Sequence, residues 1–304
     1  MIRRMLLPGV VLLCMAMSAS AKPAGKAVSA DCVVQLMDEG RVDWTHCLVK
    51  ARGVGVAPGD AGNPTQASAL AREAAIAVAE RNLLLTIYRV KVHSEQTVES
   101  LAKADATVTT HIAGLVRGAR ILEEKVTGDG TYEVVMGIGL FGTASVADCI
   151  EYNQLVTATV QASDRPTVVL PAPHPAPVDA TLGDSVAATL TWTGVIIDCR
   201  GLHLQPSMEP CVLDTDEQLL YPNRQVPKGY DMSQGLVCYS RSPDDPLLQR
   251  RVGKFPLVIK AVTAVGDTTA KYHPVISAPD AVRISTAELR SKLLSNFAVA
   301  ILVD

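Results

Sequence analysis

The stretch NPTQASALAREAAIAVAERNLLLTIYR, Asn63 to Arg89, constrains the fold more than any other part of the chain. Asn63 is suited to N-cap a helix, Pro64 to occupy its first turn, and Gln66 to supply the amide of a capping box. The pattern predicts a helix running to about Arg89, near seven turns at a rise of about 1.5 Å per residue. Arg72, Glu73, Glu80 and Arg81 fall on one side; Ala67, Ala71, Ala74, Ala75, Val78 and Leu85 fall opposite. Alanine on the contact face lets a helix lie close to a sheet, because no long side chain holds the backbones apart.

The flanks supply that sheet. Lys50 to Val56 reads as a strand that ends before Pro58, and Ser94 to Arg117 as a second helix stopped by Gly118. Ala119 to Val126 and Thr131 to Leu140 form the arms of a hairpin, with Gly128-Asp129-Gly130 supplying the positive φ of a tight turn. In the second arm Tyr132, Val134, Met136, Ile138 and Leu140 make one face bulky, and Gly137 and Gly139 leave the other bare. Bare strand positions admit a close neighbour, so the alanine face is expected on the Gly137/Gly139 side. The unit reads as a β-α-α-β-β sandwich of the α+β class, with helices on one face of the sheet.

ARGVGVAP, the alanine-rich helix, and the closing VRGARILEEKVTGDGTYEVVMGIGL occur in that order between Ala51 and Leu140. They resemble the LPP-twenty lipoprotein family of bacterial cell envelopes and, more loosely, the N-terminal domain of the flagellar H-ring protein FlgT. The resemblance implies a small non-enzymatic envelope module at residues 50–150, whose partners are envelope or flagellar proteins.

The chain's start fits such an address. Arg3 and Arg4, an apolar core from Leu6 to Met17, and Ala19-Ser20-Ala21 have the layout of a cleavable secretory signal over residues 1–21. The core is too short to span a bilayer, and no later stretch approaches that length. Cys14 follows Val11-Leu12-Leu13 and Cys32 follows Asp31, so neither stands in a lipid-acceptor motif. The expectation is a periplasmic protein, peripheral to the outer membrane and not lipid-anchored, with no transmembrane span; homo-oligomerisation is compatible with this reading. Cleavage removes two of 28 basic residues and no acid, leaving 26 against 31 acids and a net charge of −5. That balance argues against nucleic acid as a partner.

Cleavage also leaves six cysteines: Cys32, Cys47, Cys149, Cys199, Cys211 and Cys238. An even number in an exported chain favours disulfides, and Cys32–Cys47 is the favoured pair, in a short N-terminal extension at residues 22–49 with little else to anchor it. No C-x-x-C is present, and Cys199 with His203 makes only a weak metal pair, so neither metal nor cofactor is expected.

Pro166, Pro171, Pro173, Pro175 and Pro177 mark residues 151–181 as a proline-rich spacer. A second, mixed α/β domain is expected over residues 182–304. Its strands are Thr193–Cys199, Cys211–Leu213, Leu219–Tyr221, Leu236–Tyr239, Leu257–Val262 and Val299–Val303, the last two apolar enough to be buried on both faces. Ser277 with Asp280, and Ser285 with Glu288, offer helix starts.

Catalytic patterns are scarce. Ser100-Leu101-Ala102-Lys103 has the Ser-x-x-Lys spacing of penicillin-binding enzymes without their other elements. His46 beside Cys47 is a weak thiol–imidazole pair. Asp198 at the end of VIID, with Arg200, Asp214, Asp216 and Glu217, is the strongest ligand-site candidate, since strand-end carboxylates often bind ligands in α/β folds. The favoured reading is a non-enzymatic structural or assembly partner. The alternative is a periplasmic enzyme or a ligand- or metal-binding protein with its site near Asp198 and Arg200.

Overall fold

The computed structural model describes residues 32–59, 62–127, 130–162, 191–223 and 232–304. Residues 1–21, expected as a signal, Pro166, Pro171, Pro173, Pro175 and Pro177 of the expected spacer, and Gly128-Asp129 of the expected turn lie outside these residues. The protein is α+β in two units. The first is a five-stranded antiparallel sheet, β1 (Val34–Leu36), β2 (Gly40–Asp43), β3 (Leu48–Val56), β6 (Arg120–Val126) and β7 (Thr131–Gly139), in the order β1-β2-β3-β7-β6. Its segment before residue 50 is therefore part of the sheet rather than an extension: Val42 pairs with Val49 across a β2–β3 hairpin, which buries both side chains.

Helix α1 runs Pro64–Tyr88, with Asn63 Oδ1 accepting from the Gln66 amide at 2.8 Å and Pro64 in the first turn. Its buried stripe is Ala71, Ala75, Ala79, Leu83 and Ile87, a strict four-residue repeat. Ala74 is exposed and Val78 is 39% exposed, so the expected contact face was displaced around the helix. The sheet side is also different. Val49, Ala51, Gly53 and Gly55 of β3 alternate inward, in register with Ile138, Met136, Val134 and Tyr132 of β7. Gly137 and Gly139 point to the opposite face, where a Cβ on Gly137 would meet Leu122. The close approach falls on β3: a Cβ on Gly53 would lie 2.0 Å from the Ala75 carbonyl oxygen, and one on Gly55 2.0 Å from that of Ala71.

The expected second helix is broken. A small hairpin of β4 (Lys91–His93) and β5 (Gln96–Thr97) leads into α2 (Val98–Ala104), and α3 (Ala106–Arg117) follows after Asp105. Asp105 takes an extended backbone, φ −134 and ψ 115, and caps the Thr107 amide. Residues 151–162, expected as spacer, instead follow the short helix α4 (Val146–Cys149) as α5 (Tyr152–Ala162).

The second unit has two sheets. One is wholly parallel, in the order β11-β15-β8-β12: β8 (Gly194–Asp198), β11 (Cys238–Ser240), β12 (Pro256–Lys260) and β15 (Val299–Leu302). Central β15 is buried throughout, but β12 is an edge strand and leaves Val258 56% exposed. The other sheet, in the order β10-β9-β14-β13, contains β9 (Val212–Asp214), β10 (Leu219–Tyr221), β13 (Thr263–Gly266) and β14 (Lys271–Ile276). Helices α6 (Pro246–Val252) and α7 (Ala278–Ser291) complete the unit; Ser277 caps α7 through the Asp280 amide, while Ser285 and Glu288 lie inside that helix.

One buried apolar cluster runs through both units. The seam is made by backbone: the Met208 amide donates to Lys91 O at 2.9 Å and the Glu209 amide to Val92 O at 2.8 Å. Thr45 Oγ1 donates to Tyr239 O at 3.0 Å, Trp44 meets the Tyr239 ring edge-on at 5.9 Å, and the buried Tyr152 hydroxyl donates to Met208 O.

Two stability predictions follow from these contacts. Gly53→Ala should cost about 1–3 kcal/mol through overpacking on α1, whereas Ala74→Leu, at an exposed position, should stay within about 0.5 kcal/mol; denaturant unfolding of the two variants distinguishes them. Tyr152→Phe removes a buried hydrogen bond across the seam and should cost about 1–3 kcal/mol. That loss should appear in one cooperative transition reported by probes in both units.

Candidate functional site

The acidic candidates do not form a shared cleft. Asp198 ends β8 and is taken up by Arg200, whose Nε and Nη2 donate to its two oxygens at 2.8 and 2.7 Å while the Arg200 amide donates at 3.1 Å. The guanidinium holds the Asp198 carboxyl below its usual range. Asp214 lies in the other sheet, at the end of β9, and its Oδ1 accepts from the Asp216 and Gln218 amides at 2.9 and 2.8 Å. Both carboxylates are thus turn formers, engaged within four residues of themselves, and no hydrogen bond joins Asp198 or Arg200 to Asp214 or Asp216 among the described residues.

The catalytic-looking pairs also resolve into local structure. Ser100 and Thr97 form a reciprocal capping box at the start of α2, and Lys103 Nζ sits 2.6 Å from Glu99 rather than on the serine. His46 Nδ1 turns to Asp43 at 2.9 Å. Cys47 is directed at the Trp44 carbonyl, and burial pushes its thiol up to about 12, away from thiolate character.

No disulfide joins the described cysteines in this structure. Cys47 has Cys238 of the second unit as a close electrostatic neighbour. Cys199 is buried, while His203 is turned outward beside Asp304, so these two do not act as a pair.

The residues that do converge lie at the seam. His93 is the last residue of β4, Cys211 immediately precedes β9, and His273 lies in the middle of β14. One ligand-type atom from each falls within 4.8 Å of the others. Cys211 Sγ is 3.8 Å from His93 Nε2, and the two imidazoles are tilted with centroids 4.7 Å apart. Ser94 Oγ lies 3.1 Å from His93 Nδ1 and orients that ring, while the Cys211 amide donates to His273 Nδ1 at 3.0 Å. Cys211 and His273 are buried and His93 is half-buried.

Burial keeps this cluster uncharged. It lowers His93, and together with the neighbouring His93 it lowers His273 to about 4. Burial, then the nearby Glu209, raises Cys211 well above the usual thiol range. Glu209 is itself pushed up to about 7 by burial against an opposing hydrogen bond from Thr159, and its Oε1 has no partner. His273 Nε2 likewise is buried without a partner. Two neutral imidazoles and a thiol are the donor set of a borderline-soft cation, so His93, Cys211 and His273 are the residues able to hold a metal.

In the sequence Cys211 stands out only as a disulfide candidate and the start of a strand, and neither histidine belongs to a recognisable pattern. His93 and Cys211 are 118 positions apart, so no local spacing marks the set.

A separate groove of about 1070 Å³ lies in the first unit, between α3 and the sheet, lined among others by His111, Leu115, Leu122 and Gly137. It shares no lining residue with the cluster and holds none of the acidic candidates. Among the described residues, no helix is long and apolar enough to cross a membrane. No curated protein matches the chain. Residues 194–304, the whole described second unit from β8 onward, match the family model described as Treponema pallidum Tp0624, second domain.

Proposed function

We infer that this protein is a non-enzymatic, exported component of the cell envelope that works as a structural or assembly partner, with the outer edge of its first sheet as the docking element. The observation that carries this is β6. It is the terminal strand of the five-stranded sheet, its side chains are almost all exposed, and it presents Leu122 and Val126 at 41% and 57% exposure. An edge strand offers a row of backbone donors and acceptors that an extended segment of another chain can extend by β-augmentation.

Two neighbouring carboxylates are matched, while Arg120, Glu123 and Lys125 of β6 carry exposed charge. Arg72 from α1 and the Tyr132 hydroxyl both bind Glu124, and Arg52 pairs with Glu133 at 2.7 Å. A partner strand would thus meet Leu122 and Val126 flanked by charges of both signs at Arg120, Glu123 and Lys125. The signal-like residues 1–21 and the envelope-family resemblance of residues 51–140 support the periplasmic address and a flagellar-ring or outer-membrane context. The self-contained pairing of Asp198 with Arg200 favours this reading over a ligand site there.

Photo-crosslinking in intact cells tests it. A photoreactive residue at Leu122 or Val126 should give a discrete adduct with one envelope protein, while the same residue at exposed Val282 on α7 should not. An adduct with a second copy of this chain would make the partner homotypic. The absence of any adduct from β6, or identical adducts from all three positions, contradicts docking at this edge.

A further inference from the structure

We propose that His93, Cys211 and His273 form a zinc site that ties the first unit to the second. This inference is independent of docking at β6. Its first support is convergence: three ligand-type atoms, delivered by β4, the entry to β9, and β14, lie within 4.8 Å of one another. Zinc bonds of about 2.3 Å to sulfur and 2.0–2.1 Å to nitrogen place tetrahedral ligands roughly 3.3–3.6 Å apart. Cys211 Sγ and His93 Nε2, at 3.8 Å, are already close to that separation.

The second support is an orphaned atom. The Cys211 amide donates to Nδ1 of His273, which places the ring's proton on Nε2, and that nitrogen is buried without a partner. Buried polar groups are rarely left so, and a ring at this depth is expected to have use for both nitrogens. Ligation through Nε2 requires the ring's proton to move to Nδ1, which releases the Cys211 amide from that nitrogen. Zinc entry then displaces one proton, from the Cys211 thiol, and the two imidazoles remain neutral. The charge balance is one dication exchanged for one proton, leaving a net gain of one positive charge beside the carboxyl of Glu209. The fourth position belongs to water or an incoming donor, since the cluster itself supplies three ligands.

Softness selects the metal. Thiolate and imidazole favour zinc over magnesium or calcium, which require oxygen ligands. Ser94 at His93 Nδ1 supplies the outer hydrogen bond that fixes a ligating imidazole. Because His93 comes from one unit and Cys211 and His273 from the other, the ion would act as a cross-link at the Lys91–Val92 seam.

The test uses the purified full chain, reduced, stripped with EDTA, and titrated with Co(II) and then Zn(II). The expected result is one equivalent of Co(II) with a thiolate-to-cobalt charge-transfer absorption, abolished by one equivalent of Zn(II). Cys211→Ser should remove that absorption, His93→Gln and His273→Gln should weaken binding by more than about tenfold, and Cys149→Ser should leave it intact. Should the ligand variants fail to fold, X-ray absorption of the zinc-loaded wild type decides alone: one sulfur and two imidazole nitrogens are expected per zinc. No charge-transfer band in the wild type, a band that survives in Cys211→Ser, or a zinc shell without one sulfur and two imidazoles overturns the proposal.

Discussion

The two halves of this chain are joined through a very short piece of backbone, Lys91 and Val92, whose carbonyls receive the Met208 and Glu209 amides. Around these two bonds the side chains are dry: Val92 and Met208 are buried, Tyr152 reaches across to Met208 O, and Tyr239 exchanges hydrogen bonds with Ser207. Lys91 adds an ion pair to Asp267 at 3.1 Å and lies over the Tyr272 ring. Backbone bonds in such a setting are hard to replace with water, since a buried amide left without an acceptor costs about 1–3 kcal/mol. The apolar cluster that runs through both units, and the meeting of His93 with Cys211 and His273, depend on this join.

Within the first unit a second constraint operates. The alanine stripe of α1 and the glycines of β3 bring helix and strand backbones together until a Cβ at Gly53 or Gly55 would strike carbonyl oxygens. Sequence reading found the helix, its cap and the hairpin arms, because capping residues and alternation are local signals. It misplaced the contact because α1 carries alanines all around, so composition did not single out the Ala71-Ala75-Ala79 row that burial selects. It also read residues before 50 as an appendage, since β1 and β2 are three and four residues long and earn their stability only by pairing with β3.

The second unit was legible in outline and opaque at its most informative strand. Apolar runs marked β8 and β15, and Ser277 with Asp280 marked the start of α7. β14, Lys-Tyr-His-Pro-Val-Ile, was missed because Pro274 argues against an interior strand; it lies there in register with Ala264 of β13 all the same. With β14 went His273, and His93 fell in the short stretch between the two expected helices, where β4 lies. The acidic residues that strand-end chemistry brought forward proved to be turn formers, because a carboxylate followed two residues later by a free amide closes its own loop.

The central structural claim is that the Lys91–Val92 seam makes one cooperative body of the two units. Native-state hydrogen exchange of the Met208 and Glu209 amides tests it most directly. Both amides should exchange only through global unfolding, with the same protection as Ile196 in β8 and Val134 in β7. Exchange of these two amides by local opening, while both sheets stay protected, would contradict the account and leave the units as separately folded bodies that merely touch.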